Sequence, residues 1–291
     1  MAKFIDGTAI AAQIEKEIKE GVDGYKTLQM RSPCLAVLLL SDDPASKIYV
    51  GRKQQACERV GIRSVLTGEM CSAPGHLKMN LKILAENKDV DGILLQLPLP
   101  LHYGDWRQYF SMIDPLKDVD VFHPENVGLL VQGRPRFEPC TPQGIREMLT
   151  RSGISFKGKH VVVINRSDVV GKPLSSMLIQ DCDQWANATV TVCHDETPHE
   201  TLKAICLSAD IIVVAVGKPG FLTSDMVSPS QVVVDVGTTR VGKKLVGDVD
   251  PKVYDIVQWV TKVPGGVGPM TVSMLLKNTL RAAQMLVDRT I

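Results

Sequence analysis

Apolar positions along the chain follow two alternating patterns. Ile10, Ile14, Ile18 and Val22 recur every fourth residue, which marks one face of an amphipathic helix. Short, almost unbroken runs of Val, Ile and Leu then follow: CLAVLLL at 34–40, DGILLQL at 91–97, KHVVVI at 159–164, ATVTV at 188–192, DIIVVAV at 210–216 and QVVVDV at 231–236. Runs of this kind are expected of strands covered on both faces, and therefore of parallel sheets. Helical patterns lie between them, near 46–60, 74–87, 142–151, 173–181 and 198–207, so the alternation predicts βαβ units.

A Pro-containing break, FEPCTPQG, falls near residue 139, and the four strand candidates after it are spaced as in a dinucleotide-binding fold. The expected class is therefore α/β with two lobes. An N-terminal α/β lobe spans residues 1–138, and a Rossmann-like parallel-sheet lobe spans 139–269. A closing helix within 270–291 is expected to pack back on the first lobe.

Composition narrows the partners. In 291 residues the 33 basic and 32 acidic side chains leave a net charge of +1, with no long segment of one sign, which argues against a nucleic-acid footprint or a polybasic membrane patch. The expected partner is a small molecule. Seven cysteines form no CxxC pair and no zinc-spaced Cys/His cluster, which fits reduced thiols in the cytoplasm and no metal. The N-terminus lacks the apolar run of a secretory signal, and no segment is apolar for long enough to span a bilayer.

Two places carry candidate chemistry. NRSDVVGKP lies between a strand and a helix, where free N–H groups and a partial positive charge favour phosphate. Asn165, Arg166 and Ser167 bring donors there, and Gly171 permits close backbone approach, although the multi-glycine fingerprint is missing. Asp195 ends the next strand. An acid at that position accepts from the adenosine ribose and favours NAD, whereas Arg166 favours the 2′-phosphate of NADP; a helix cap is the plainer role for Asp195.

In the first lobe a helix entered near Asp43 or Ser46 places Tyr49 and Lys53 on one face at i and i+4. A lysine desolvated beside a phenol has its pKa drawn down from about 10.4 toward the range of proton transfer. Gln96 is a polar side chain at the carboxyl end of an apolar strand and needs a partner. The following loop holds Asp118, Asp120, His123 and Glu125, a density that suits turn chemistry and does not match a calcium loop. Near the end, VPGGVGPMT is a glycine-rich loop that opens a helix at Gly268 or Pro269.

Taken in order, SKIYVGRKQQACERVGI, DGILLQLPLP, KDVDVFHPENVG, PCTPQGI, RSDVVGKP, ATVTVCH, ADIIVVAVGKPG, DVGTTR, LVGDVD and VPGGVGPMT resemble the bifunctional methylenetetrahydrofolate dehydrogenase/methenyltetrahydrofolate cyclohydrolase family over nearly the whole chain. The resemblance implies two lobes around a deep cleft, a homodimer, folate on the first lobe and NADP on the second. It implies hydride transfer from 5,10-methylenetetrahydrofolate and then hydrolysis of the methenyl product to 10-formyltetrahydrofolate. Lys53 would assist proton transfer, Tyr49 orient it and stack on folate, Gln96 hold it, and Asp120 grip the pterin. Pro264, Gly265 and Gly266 would line the substrate, and Asn165, Arg166, Ser167, Gly171, Asp195 and Thr238 the cofactor.

The sequence departs from the family pattern at Val121 and Asn165, both usually glycine, at Asp195, at Thr238 and Thr239, and at Lys262. These departures bear on the cofactor, so NAD stays open beside NADP. A largely monofunctional NAD-dependent dehydrogenase and a non-catalytic binding protein of the same fold are the alternatives. A short-chain dehydrogenase is disfavoured, because its Tyr-x-x-x-Lys pair follows the nucleotide turn instead of preceding it.

Overall fold

The computed structural model describes residues 1–68, 71–182, 185–242 and 244–288. In chain order the elements are β1 (Lys3–Ile5), α1 (Gly7–Gln29), β2 (Cys34–Leu38), α2 (Pro44–Val60), β3 (Arg63–Thr67), α3 (Pro74–Glu86), β4 (Gly92–Leu95), α4 (Arg107–Phe110) and α5 (Pro124–Val131). They continue with α6 (Cys140–Arg151), β5 (His160–Ile164), α7 (Gly171–Leu178), β6 (Thr189–Cys193), α8 (His199–Leu207), β7 (Ile211–Val214), β8 (Val232–Asp235), β9 (Thr239–Val241), β10 (Lys244–Val246), β11 (Trp259–Thr261) and α9 (Val267–Asp288). The chain forms two units, one of Ala12–Cys140 with Val272–Ile291 and the other of Met1–Ala11 with Thr141–Thr271.

The first of these units is built on a parallel sheet in the order β3-β2-β4. β2 is central and all five of its residues are buried, as an unbroken apolar run requires. Gln96 N donates to Leu38 O at 2.9 Å, so the pairing runs one step past β4 and Gln96 emerges at the carboxyl end of the sheet. α2 starts sharply because Asp43 accepts from Ser46 N at 2.9 Å and Pro44 sits in the first turn. It ends at Gly61, which takes the left-handed conformation (φ +80°).

The segment after α4 is pinned to this sheet. Ile93 N donates to Lys117 O at 2.7 Å, and Asp118 bridges Ile93 in parallel fashion. The buried Lys117 Nζ donates to the carbonyls of Leu84, Ala85 and Asn87 at 3.3, 2.8 and 2.7 Å, neutralising the orphan acceptors at the end of α3.

The second unit carries a six-stranded sheet in the order β1-β11-β8-β7-β5-β6, parallel throughout, with β9 and β10 forming a separate antiparallel hairpin. From β5 the chain first adds β6 on one side and then returns to add β7 on the other. The topological switch point thus lies between the carboxyl ends of β5 and β7. Val162, Ile164, Ile212, Val214, Val233 and Val260 belong to its buried core. Sequence alone assigns residues 1–11 to the first lobe. They belong instead to this sheet, because Lys3, Phe4 and Ile5 pair in register with Trp259, Val260 and Thr261.

Replacing Lys117 by Met keeps the aliphatic stem and strands three carbonyls without a donor. The expected loss is about 3 kcal/mol, measured as a lower urea midpoint with the m-value unchanged.

Candidate functional site

Tyr49 and Lys53 stand one turn apart on α2, and burial of Lys53 brings its amine to Gln96. Lys53 Nζ donates to Gln96 Oε1 at 2.8 Å and lies 4.8 Å from the centre of the Tyr49 ring. Gln96 Nε2 in turn donates to Leu97 O at 2.7 Å, so the backbone decides which end of the amide faces the lysine. Burial holds the Lys53 pKa below its ordinary value; Asp120 pulls the other way, and Cys140 and Cys57 do so in smaller measure. An amine poised in this way can both take and return a proton.

Asp120 sits in a loop whose shape is set by its neighbours. The fully buried Asp118 accepts from the amides of Val121, Phe122 and His123 and from Asn126 Nδ2, at 3.1, 3.3, 2.8 and 2.9 Å. His123 caps α5 by accepting from Glu125 N, and Glu125 pairs with Arg136 at 2.5 Å. The acidic density is therefore turn chemistry. Among the described residues no group of three or more His, Cys, Asp or Glu could hold a metal. Val121, where the family usually has glycine, is buried with φ +67°, a conformation that crowds a β-branched residue.

In the second unit the turn after β5 satisfies much of its own backbone. Asn165 Oδ1 accepts from Ser167 N, Ser167 Oγ and Gly171 N at 2.8, 2.7 and 2.9 Å, while its Nδ2 donates to Ala215 O at 2.6 Å. Ser167 Oγ also accepts from Val170 N at 3.1 Å. Asn165 thus links the two strand ends at the switch point and occupies amides at the start of α7 that sequence alone offers to a phosphate. Gly171 is required by this packing, since a Cβ there would fall 2.0 Å from Asn165 O.

Arg166 keeps its guanidinium half exposed and pairs with the largely exposed Asp195 at 2.6 Å. Asp195 does not cap α8, whose N-cap position is Pro198. Thr238 is exposed at the start of the hairpin, and the neighbouring Thr239 Oγ1 donates to Gly217 O at 3.3 Å. The donor set of Arg166, already holding one carboxylate, fits a phosphate-bearing nucleotide.

Two buried carboxylates brace the same strand ends, and sequence reasoning missed both. Asp235 accepts from the amides of Asp248 and Val249 at 2.9 and 3.1 Å, and Asp248 Oδ2 accepts from those of Val216 and Gly217 at 2.6 and 2.9 Å. Each carboxylate lies against a glycine of the other's segment, Gly237 and Gly247, where a Cβ would intrude within 2.2 and 1.9 Å. The motif spellings DVG and GDVD were visible, but nothing in them shows that the acids turn inward.

Pro264, Gly265 and Gly266 belong to this second unit, whereas Tyr49, Lys53, Gln96 and Asp120 belong to the first. The loop is built on contact with the start of α1: Thr8 N donates to Gly265 O at 2.9 Å, and a Cβ on Gly7 would lie 2.0 Å from Gly266 O. Lys262, another departure, pairs with Asp6 at 2.6 Å, which holds the Asp6 carboxyl below its ordinary pKa.

Comparison with known proteins follows the same division. Residues 5–120 match the family model of the tetrahydrofolate dehydrogenase/cyclohydrolase catalytic domain, and residues 139–287 match that of its NAD(P)-binding domain. The curated bifunctional protein FolD of Rhodopirellula baltica is 48% identical over 296 residues, covering 98% of each chain. The crystal structure of the Campylobacter jejuni bifunctional enzyme FolD, methylenetetrahydrofolate dehydrogenase/cyclohydrolase, is 40% identical with a TM-score of 0.90, covering 98% of this chain and 99% of that one. The Trypanosoma brucei enzyme, solved with NADP cofactor and inhibitor, is 36% identical with a TM-score of 0.91 and 98% coverage of both chains.

Burial pushes the Asp235 carboxyl up to about 6. The folded chain holds that proton more tightly than the unfolded one, so Asp235 contributes stability that is full below about pH 4 and is lost as pH rises through the folded value, a change of roughly 3 kcal/mol. A carbon-13 titration of the Asp235 carboxyl should show the raised midpoint. The stability difference between wild type and Asp235→Asn should shift by the same amount across that window; a midpoint in the ordinary Asp range contradicts it.

Proposed function

The chain belongs to the tetrahydrofolate dehydrogenase/cyclohydrolase family, and on that premise we propose how its residues carry two consecutive reactions. It is a bifunctional one-carbon enzyme that oxidises 5,10-methylenetetrahydrofolate to the 5,10-methenyl form with NADP and hydrolyses that product to 10-formyltetrahydrofolate. NADP, when bound, accepts the hydride released by the methylene carbon. Arg166 would hold its 2′-phosphate, with Thr238 and the turn braced by Asn165, Ser167 and Gly171 beside the nucleotide.

The observation that carries the hydrolytic half is the buried Lys53 amine held by Gln96. The methenyl carbon is an iminium-type electrophile, and a full ammonium beside it would be repelled, which the lowered Lys53 pKa avoids. As water adds to that carbon, neutral Lys53 takes one of its protons; the ammonium then delivers a proton to N5 as the C–N5 bond breaks, leaving the formyl group on N10. The second water proton leaves to solvent, so the charge of the methenyl cation is balanced.

Gln96 fixes the amine for both transfers, and the Tyr49 ring beneath Nζ supports the transient ammonium. Asp120 grips the pterin through two carboxylate oxygens facing two ring donors. The intact group of Tyr49, Lys53, Gln96 and Asp120 speaks against a non-catalytic binding protein. Family resemblance supports a homodimer working in the cytoplasm, with folate on the unit of Ala12–Cys140 and the closing helix, and the nucleotide on the unit that residues 1–11 join.

Purified protein should reduce NADP with methylenetetrahydrofolate and hydrolyse the methenyl form; neither reaction above background would end this reading. Lys53→Met should cut hydrolysis by at least about 100-fold while folate still binds, and unchanged hydrolysis would remove Lys53 from its role. Asp195→Ser releases Arg166 from its resident carboxylate, so NADP use relative to NAD should rise about three- to tenfold in paired initial rates. No gain would show that Asp195 does not compete with the phosphate.

A further inference from the structure

Asp120 lies between two clamps, one of which comes from the far end of the chain. On one side the Asp118 carboxylate organises the turn that follows. On the other, Asn278 of α9, almost wholly buried, donates both hydrogens of its Nδ2 to the carbonyls of Val119 and Glu138, each at 2.9 Å. The same Val119 oxygen accepts from Cys140 Sγ at 3.4 Å, and Asn278 Nδ2 lies 3.8 Å from that sulfur.

One carboxamide therefore ties the residue before Asp120 to Glu138, just ahead of α6, and lies beside Cys140, the first residue of that helix. Burial, and then the negative charge of Asp120, raise the Cys140 pKa well above the ordinary thiol value, so the sulfur keeps its proton and remains a donor. Water cannot readily replace Asn278, because the carbonyls it serves are out of solvent, and backbone acceptors left bare there lose their hydrogen bonds outright.

We infer that Asn278 is a positioning residue for the reaction: by holding the Val119 and Glu138 carbonyls, it fixes where Asp120 presents its carboxylate to the folate. The inference rests on Asp120 as the folate ligand. It extends the functional group from the first lobe's loops to a helix that touches no reacting atom.

The test compares Asn278→Leu, similar in size but without donors, with Asn278→Asp and with Thr279→Val as a control. Thr279 is the adjacent residue, and its hydroxyl donates only to Leu275 O one turn back at 2.8 Å. Asn278→Leu should raise KM for methylenetetrahydrofolate about tenfold and leave KM for NADP within about twofold, whereas Thr279→Val should leave the ratio of the two unchanged.

Asn278→Asp can donate one hydrogen bond, and only as the neutral acid. Its folate KM relative to wild type should therefore be lower at the acid end of a pH series than at the alkaline end, staying above 1 because one of the two carbonyls is left bare. This pH series decides the matter even if the leucine variant fails to fold. Asp120→Asn is measured in parallel. If it binds folate like wild type, the assignment of Asp120 falls. If it weakens folate binding, Asn278→Leu on that background should add less than about twofold. A full tenfold addition there, an equal rise in both KM values, or a flat pH series for Asn278→Asp would overturn the positioning role.

Discussion

An ammonium group taken out of water loses far more than one neighbouring amide can return, and the folate unit is arranged around that fact at Lys53. The amine is buried against Gln96, whose own orientation is locked by Leu97 O, and it is drawn toward charge chiefly by Asp120. The surrounding elements supply what this pair needs. α2 delivers Tyr49 and Lys53 on one face, β4 ends so that Gln96 emerges beside them, and the segment pinned by Lys117 and Asp118 carries Asp120. If the amine were solvated it would be an ordinary cation, and the site would lose its means of moving a proton.

A second device recurs in both units: an inward-turned polar side chain gathers several backbone amides and so shapes a loop. Asp118 does this before α5, Asn165 at the switch point, and Asp235 and Asp248 in series at the ends of β8 and β7. Such acceptors stand in for the glycine-rich nests by which many nucleotide loops bind anions directly. The turn is thereby formed before any ligand arrives. Beside it the Arg166 guanidinium is half exposed and already paired with Asp195.

The two-lobed α/β class, the long buried strands and the Tyr49–Lys53 pair were legible in the sequence because each rests on a local pattern, whereas Gln96 stood out only as a polar residue in need of a partner and Asp120 entered through the family resemblance. Unbroken apolar runs revealed β2, β4, β5, β6, β7 and β8, and an i, i+4 spacing revealed the lysine and its tyrosine. Shorter elements were not legible. β1 and β11 are three residues each, and β3 is an edge strand with exposed Arg63, Val65 and Leu66, so none of them carries a distinguishing run. Asn126, Asn278, Asp235 and Asp248 were invisible for a different reason. A buried polar residue is spelled like a surface one, and only its partners, contributed by distant segments, reveal it. Sequence alone reads Asn165 as a donor to ligand, whereas both ends of its amide are engaged within the protein.

Pairing of β1 with β11 has a consequence for synthesis on the ribosome. The Thr8–Gly265 contact spans 257 positions, so the edge of the six-stranded sheet joins the first residues made to nearly the last. Closing so long a loop adds only logarithmically to the entropy cost, but it sets an order of events. Until the segment around residue 260 has emerged, β8 presents an uncovered edge and the first residues of the chain have no sheet to join. The nucleotide unit therefore closes late, when β11 and the first residues meet, and most of α9, made after both, then joins the unit of Ala12–Cys140.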